Sequence, residues 1–215
     1  MSAASDHALL MDRIYRWQRR FGIYDATRKY YLLGRDPMLA GLRPKPGGAV
    51  LEIGCGTGRN LVKAARLYPA ARFHGIDISQ EMLAAAETVI DGAGLGNRVR
   101  LAKADAAAFD PQSAFGQDDY DRIFISYAVS MIPQWRQVIT EAMARLAPGG
   151  ELHVTDFGDM AGLPRWFGRA MTRWLGWHHV TPRADLFTVA AEQGGRSVEK
   201  RLHRGFSWIA VIRKD

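Results

Sequence analysis

At 215 residues the chain is long enough for one α/β domain with a modest extension. With 47% hydrophobic and 24% charged residues it reads as globular rather than disordered, and no apolar run reaches membrane-spanning length. The single cysteine, Cys55, excludes an internal disulfide and suits a reducing cytoplasm, Met1 to His7 lack a signal-peptide core, and a formal charge of +7 favours an anionic partner: nucleic acid, anionic lipid or an acidic substrate.

Residues Ala8 to Arg35 mix Leu9, Leu10, Ile14, Tyr15, Trp17, Phe21, Ile23 and Tyr24 with Arg13, Arg16, Arg19 and Arg20. The pattern predicts two helices breaking near Gly22, after which Arg35-Asp36-Pro37 turns the chain. Such a segment is either a cap packed on the core or a lid that covers a ligand and admits a substrate. Arg43-Pro44-Lys45-Pro46-Gly47-Gly48 suits neither helix nor strand and reads as a linker. The expected organisation is therefore a helical lid and linker over residues 1–46 and a main domain over 47–215.

The run Ala49 to Ile53 is short and apolar, as a parallel strand buried on both faces should be. Gly54, Gly56 and Gly58 follow at alternate positions, and a helix is expected over Arg59 to Leu67. Strand 2 is expected at Arg72–Asp77, and Ser79 is a plausible N-cap for a helix running to about Ile90. Further strands are expected at Val99–Ala102, Asp121–Ser126 and Glu151–Asp156, with a helix from Gln134 to Leu146 halted by Pro148-Gly149-Gly150. This alternation implies a parallel, doubly wound sheet. Beyond Asp156 come a basic aromatic segment from Leu163 to Trp177, a helix over Asp185–Glu192, and two strands, Ser197–Leu202 and Phe206–Ile212, close enough to pair.

A strand, a glycine turn and a helix N-terminus form a ligand cradle, because glycine lets a ligand approach the backbone and the helix amides face it. A nicotinamide fingerprint would place glycine or alanine where Arg59 stands. The spacing Gly54-Cys55-Gly56-Thr57-Gly58, preceded by Glu52, instead resembles motif I of the class I S-adenosylmethionine-dependent methyltransferases. That resemblance implies a Rossmann-like fold: a seven-stranded, mostly parallel sheet with helices on both faces and an antiparallel last strand.

Ligands in such sheets sit outside the carboxyl ends of the strands. The cofactor candidates follow. Glu52 would order the turn, with Gly54, Cys55, Gly56 and Asn60 in and after it. Asp77 would accept both ribose hydroxyls, Ile78 and Met82 would sandwich the purine, Asp105 would take the adenine amino group and Ala106 would offer an amide. Ser126 closes strand 4, and Arg28 or Arg35 is the candidate cation for the methionine carboxylate. Cys55 reads as a small side chain in a tight place rather than a reactive thiol.

A narrower resemblance rests on Asp12-Arg13-Ile14-Tyr15, on Ile23-Tyr24-Asp25-Ala26-Thr27-Arg28-Lys29-Tyr30-Tyr31-Leu32-Leu33-Gly34-Arg35-Asp36, and on Ser126-Tyr127-Ala128-Val129-Ser130-Met131-Ile132-Pro133. These segments look like the bacterial betaine-lipid N-methyltransferases. The resemblance implies stepwise methylation of diacylglyceryl-homoserine to its trimethyl betaine, with phosphatidylethanolamine the nearest competing lipid and a soluble small amine the alternative. Methyl transfer from a sulfonium to nitrogen is an in-line displacement that mainly needs alignment, so no catalytic triad is required. Tyr127 would sit beside the reacting methyl and orient the amine, Tyr24 and Tyr31 would face the growing cation, and Arg183 could pair with a substrate carboxylate. Nucleic acid is not an expected partner, because Ser126-Tyr127-Ala128-Val129 lacks the prolines of base amino-methyltransferases, and the adjacent His178 and His179 are not expected to bind metal.

The basic insertion, about 160–183, speaks to lipid on its own terms. Arg165, Arg169 and Arg173 recur every four residues beside Trp166, Phe167, Ala170, Met171, Trp174 and Leu175. That pattern predicts an in-plane helix over 163–177 on the anionic inner face of a membrane. The alternative is an ordinary amphipathic helix packed on the core with solvated arginines.

Overall fold

The structure, a computed structural model, describes residues 32–177, 180–193 and 196–215. The expectations that fall on Tyr24, Arg28 and Tyr31, and on the two helices before Arg35, lie outside the described residues. In chain order the elements are α1 (Arg35–Gly41), β1 (Ala49–Ile53), α2 (Arg59–Leu67), β2 (Arg72–Asp77), α3 (Gln80–Gly92), β3 (Val99–Lys103), α4 (Pro111–Phe115), β4 (Tyr120–Ser126), α5 (Trp135–Ala144), β5 (Leu146–Phe157), α6 (Arg165–Trp177), α7 (Leu186–Glu192), β6 (Arg196–Leu202) and β7 (Ser207–Arg213).

The seven strands form one sheet in the order β3-β2-β1-β4-β5-β7-β6. The pairs from β3 to β5 are parallel, while β7 runs antiparallel to both β5 and β6. Chain order reverses between β1 and β4, so the ends of these two strands flank a crevice at the switch point. Alternate residues of each central strand feed opposite layers. Leu51, Ile53, Ile123 and Ile125 pack with Val138, Ile139 and Ala142 of α5 and with Leu186, Val189 and Ala190 of α7. Val50 and Phe124 face the other way, onto Leu61, Ala64 and Ala65 of α2 and Leu83, Ala86 and Ile90 of α3. Burial on both faces is why these strands are rich in apolar residues, with Glu52 the buried exception in β1. Truncating one such residue, as in Leu51→Ala, costs about 2–5 kcal/mol through lost burial and the cavity left behind.

Two local readings are corrected. Arg35-Asp36-Pro37 does not merely turn the chain; it opens α1. Proline is tolerated there because the first turn of a helix has no intrahelical partner for its N–H. Met38 and Leu39 of α1, with Leu42 just beyond it, then join the core layer of α2 and α3. Second, Pro148-Gly149-Gly150 is no stop. β5 runs through it from Leu146, with a register shift against β4 between Tyr120 and Arg122 and Gly149 at φ +72°. The hairpin ending is as expected: Ser197 faces Ile212 and Leu202 faces Ser207. Ser79 caps α3, its hydroxyl accepting the Met82 N–H at 3.3 Å.

Candidate active site

A cleft of about 1150 Å³, counting the solvent at its mouth, opens at the carboxyl ends of β1 to β4. Its floor is the turn after β1. The Gly54 and Cys55 amides both donate to the Ile76 carbonyl, at 2.9 and 3.0 Å, which ties the turn to the end of β2. Gly54, Gly56 and Gly58 all have positive φ, near +72°, +53° and +72°. A Cβ on Gly54 would meet that of Ala128 at 2.8 Å, whereas one at Gly56 would project into open space. Gly54 thus keeps the ends of β1 and β4 in contact, and Gly56 leaves room for a ligand against the backbone.

Asp77 sits across the turn. Its carboxylate accepts the Gly56 N–H at 2.8 Å and the Ser79 N–H at 2.9 Å. Asp77 itself lines the cleft at the end of β2. Ile78 lines the cleft beside it. Met82 does not: it is fully buried in the first turn of α3, so of the expected purine sandwich only Ile78 lines the cleft. Asp105 and Ala106, after β3, also line the cleft, with Asp105 Oδ1 accepting the Ala107 N–H at 3.0 Å.

Glu52 lies beneath the turn at 1% exposure and does not reach the cleft wall. It acts through Asn60, whose amide donates to its Oε1 at 2.7 Å; Asn60 does line the cleft. Burial pushes the Glu52 carboxyl well above the usual range; the Asn60 hydrogen bond opposes this, the Asp77 charge adds to it, and the Arg35 charge opposes it. Glu52 therefore serves as a buried strut. Cys55 lines the cleft too, and burial raises its thiol pKa well above normal, with Asp77 and Glu52 adding to the shift, so it stays an unreactive thiol. Arg35 and Arg59 are the cations on the wall among the described residues. Sequence reasoning passed over Arg59, although the signal was present: it is the cation standing where a dinucleotide turn wants a small residue.

The opposite wall is built by the segment after β4: Ser126, Tyr127, Ala128, Met131, Ile132 and Gln134, with Leu32 arriving from the N-terminal side. Ser126 Oγ is buried there with no hydrogen-bond partner among the described residues. Tyr127 departs from expectation. Its backbone sits at φ +54°, a conformation costing a non-glycine residue about 1–2 kcal/mol. Its hydroxyl is not offered to an amine: it accepts the Gly34 N–H at 3.1 Å, beside the hydroxyls of Thr155 and Ser207. Burial raises this phenol to about 12, partly countered by the Gly34 amide, so it holds its proton at neutral pH and is no base. Tyr127 fastens the entry of the N-terminal segment onto β5 and β7. Gly34 must be glycine for that: a Cβ would collide with Thr155 Oγ1.

Arg183 also proves structural. Its guanidinium donates to the Ile132 carbonyl at 3.1 Å and the Val129 carbonyl at 3.4 Å, and stands 5.8 Å from the Trp135 ring centre. It does not line the cleft, because those carbonyls and the ring hold it behind the wall. Asp156, 1% exposed, supports the same wall by accepting the Ser130 N–H at 2.9 Å and the Phe157 N–H at 2.8 Å. Burial raises its pKa to about 6, while its hydrogen bonds and the Arg183 charge pull the other way.

A glycine turn, a carboxylate closing β2 and a second after β3 stand together on a cleft at the switch point, where open α/β sheets bind ligands. A profile described as "Methyltransferase domain" matches residues 50–150. A phosphatidylethanolamine N-methyltransferase of Cereibacter sphaeroides is 30% identical over 174 residues, 78% of this chain and 81% of that protein. The ubiquinone/menaquinone C-methyltransferase UbiE of the same organism is 27% identical over 60% of this chain, which spans only half of that relative. Among solved structures, the S-adenosylmethionine-dependent methyltransferase SibL in its apo form superposes with a TM-score of 0.71 at 19% identity, covering 90% of this chain and 57% of SibL. Phosphoethanolamine N-methyltransferase 2 of Haemonchus contortus, in complex with S-adenosyl-L-methionine, superposes at 0.64 with 22% identity over 79% of this chain and 38% of its own. The chain belongs to the class I S-adenosylmethionine-dependent methyltransferases, and S-adenosylmethionine is its methyl donor.

Proposed function

We propose that the protein N-methylates an aminolipid of the ethanolamine type, with phosphatidylethanolamine as acceptor. The observation that carries this reading is the 30% identity to a phosphatidylethanolamine N-methyltransferase across most of both chains. It moves the substrate away from the diacylglyceryl-homoserine implied by the N-terminal segments. The character of the cleft supports the move. A homoserine headgroup carries a carboxylate and would want a cation on the acceptor side. Among the described residues, Arg183 is committed to backbone carbonyls, Arg59 opens the helix after the glycine turn, and Arg35 acts on Glu52 beneath that turn.

The donor supplies an electrophilic methyl on a sulfonium sulfur. The chain's own residues do the rest. Asp77 would hold the ribose hydroxyls, Asp105 and Ala106 the adenine edge, and Arg35 or Arg59 the methionine carboxylate, a reading supported by their shared place on the cleft. On the acceptor wall Ser126 Oγ and Gln134 are the neutral polar groups among the described residues that can accept an amine N–H, and Leu32, Ala128, Met131 and Ile132 exclude water around it. A wall whose described residues are uncharged favours the neutral amine, which is the nucleophile, because an ammonium against them would be desolvated without a partner. The proton lost on methylation leaves through the open mouth to solvent, which suits an acceptor wall whose described lining residues include no base of matched pKa.

The test is transfer of label from methyl-labelled donor to phosphatidylethanolamine in mixed micelles, followed by mass spectrometry of the chloroform phase. Mono-, di- and trimethylated phosphatidylethanolamine are expected. Label entering only diacylglyceryl-homoserine restores the betaine-lipid reading, and label entering only phosphoethanolamine removes the lipid.

A further inference from the structure

Helix α6 has two unlike faces. Phe167, Met171, Trp174 and Leu175 point inward and pack with Leu32, Tyr127, Phe157, Met160 and Phe206. Leu32 and Tyr127 from that cluster are also cleft wall, so the inner face of α6 backs the acceptor side of the site. The outer face carries Arg165, Trp166, Arg169, Arg173 and Trp177, all exposed. Trp166 and Trp177 are 69% and 71% exposed, the largest values among the exposed large hydrophobic residues. The helix contains no acid, and no ion pair among the described residues joins its three arginines to a carboxylate. Arg173 stacks toward the Trp177 ring at 5.8 Å, and Arg204 meets the start of the segment, its carbonyl accepting the Gly162 N–H at 3.1 Å.

We propose that this outer face is a docking surface for an anionic lipid bilayer, seating the acceptor side of the cleft at the headgroup level. Solvation of a charged helix explains the arginines but leaves two large indoles in water beside them. A bilayer accommodates both: indole favours the headgroup depth, and each arginine gains from the anionic surface. Among the described residues no helix is long and apolar enough to cross a membrane, so the contact is in-plane. The contact also has a route to the site. Beyond α6 the Val180 N–H returns to the Leu175 carbonyl at 3.0 Å, and the Thr181 N–H donates to the Ser130 carbonyl at 2.9 Å. Arg183 then braces Val129 and Ile132. Seating α6 therefore steadies the wall that carries Ala128, Met131 and Ile132. This inference does not depend on which amine is methylated.

The experiment is flotation of the full chain with vesicles of equal parts phosphatidylglycerol and phosphatidylcholine, against phosphatidylcholine alone, with neither donor nor amine acceptor present. Binding to the anionic vesicles with a blue shift of tryptophan emission is expected, weakening as salt rises. The triple variant Arg165→Glu, Arg169→Glu, Arg173→Glu should bind at least about a hundredfold more weakly. Trp166→Ser with Trp177→Ser should lose the blue shift. Unchanged cofactor affinity in both variants shows that they fold. Equal binding to neutral vesicles, wild-type binding by the triple variant, or a concentration-dependent dimer that the tryptophan variant abolishes would overturn the proposal; the last would assign the face to a second copy of the chain.

Discussion

The two walls of the cleft are built on different principles. The donor wall is assembled from consecutive strand ends, each carrying its polar group within a few residues of the strand: the glycine turn after β1, Asp77 closing β2, Asp105 after β3. Its hydrogen bonds are mostly short in sequence or run to the neighbouring strand. The acceptor wall draws on distant parts of the chain. Gly34 meets Tyr127 across 93 positions, Asp156 holds Ser130 across 26, and Arg183 holds Ile132 across 51. A strand-end site can be inherited whole while the other wall is rebuilt for a new acceptor, which fits a chain whose relatives methylate both carbon and nitrogen by name.

The strongest way to break this comparison is to remove Asp77. Asp77→Ala deletes two charge-assisted bonds that shape the turn, each worth about 1.5–3 kcal/mol, as well as the acceptors proposed for the ribose. Calorimetry should show donor affinity falling a hundredfold or more. If it falls less than tenfold, the donor wall is not the nucleoside site. Gly54→Ala comes next, because it acts where the two walls touch. The added methyl meets Ala128 at 2.8 Å from a backbone at φ +72°, a conformation that alone costs an L-residue about 1–2 kcal/mol. Donor affinity should drop about ten- to a hundredfold, and the paired variant Gly54→Ala with Ala128→Gly should recover part of it.

Asp156 tests the acceptor wall through pH. Its folded pKa, about 6, lies above the unfolded value of 3.8, so between those values the folded state keeps a proton that the unfolded state has released. Stability therefore falls as pH rises from about 4 to 6, by up to about 3 kcal/mol from this group, and levels off above that. Urea unfolding at several pH values should show this slope, reduced in Asp156→Asn, whose amide cannot ionise. An identical slope in the variant would assign it to other groups, Glu52 first. The smallest effect is expected from Tyr127→Phe. It removes one hydrogen bond to Gly34, worth about 1 kcal/mol, and should slow methyl transfer only a few-fold with donor affinity unchanged. A loss beyond a hundredfold would return the hydroxyl to the chemistry.

The donor wall was legible because its rules are local. A short apolar run, alternate glycines and an acid at the next strand end constrain backbone and charge within a few residues, and Asp77, Asp105 and the turn stand on the cleft as the sequence suggested. Met82 lies off the cleft because a residue three positions beyond an N-cap is aimed by the helix, not by its proximity to Asp77. Glu52 was expected among the cofactor residues, but it lies buried off the cleft wall, and its partner Asn60 emerges only when α2 folds back over β1.

What the sequence determined by itself was the strand–helix alternation, the glycine turn with its acids, and the amphipathic character of the 163–177 segment, all set by residue type and period. Only the tertiary structure decided that Tyr127 faces Gly34, that Arg183 grips carbonyls, and which side of α6 is left to solvent. The physical reason is range: backbone preference and periodicity act over a few residues, whereas the partner of a long side chain is whatever the packed fold brings within about 3 Å of it.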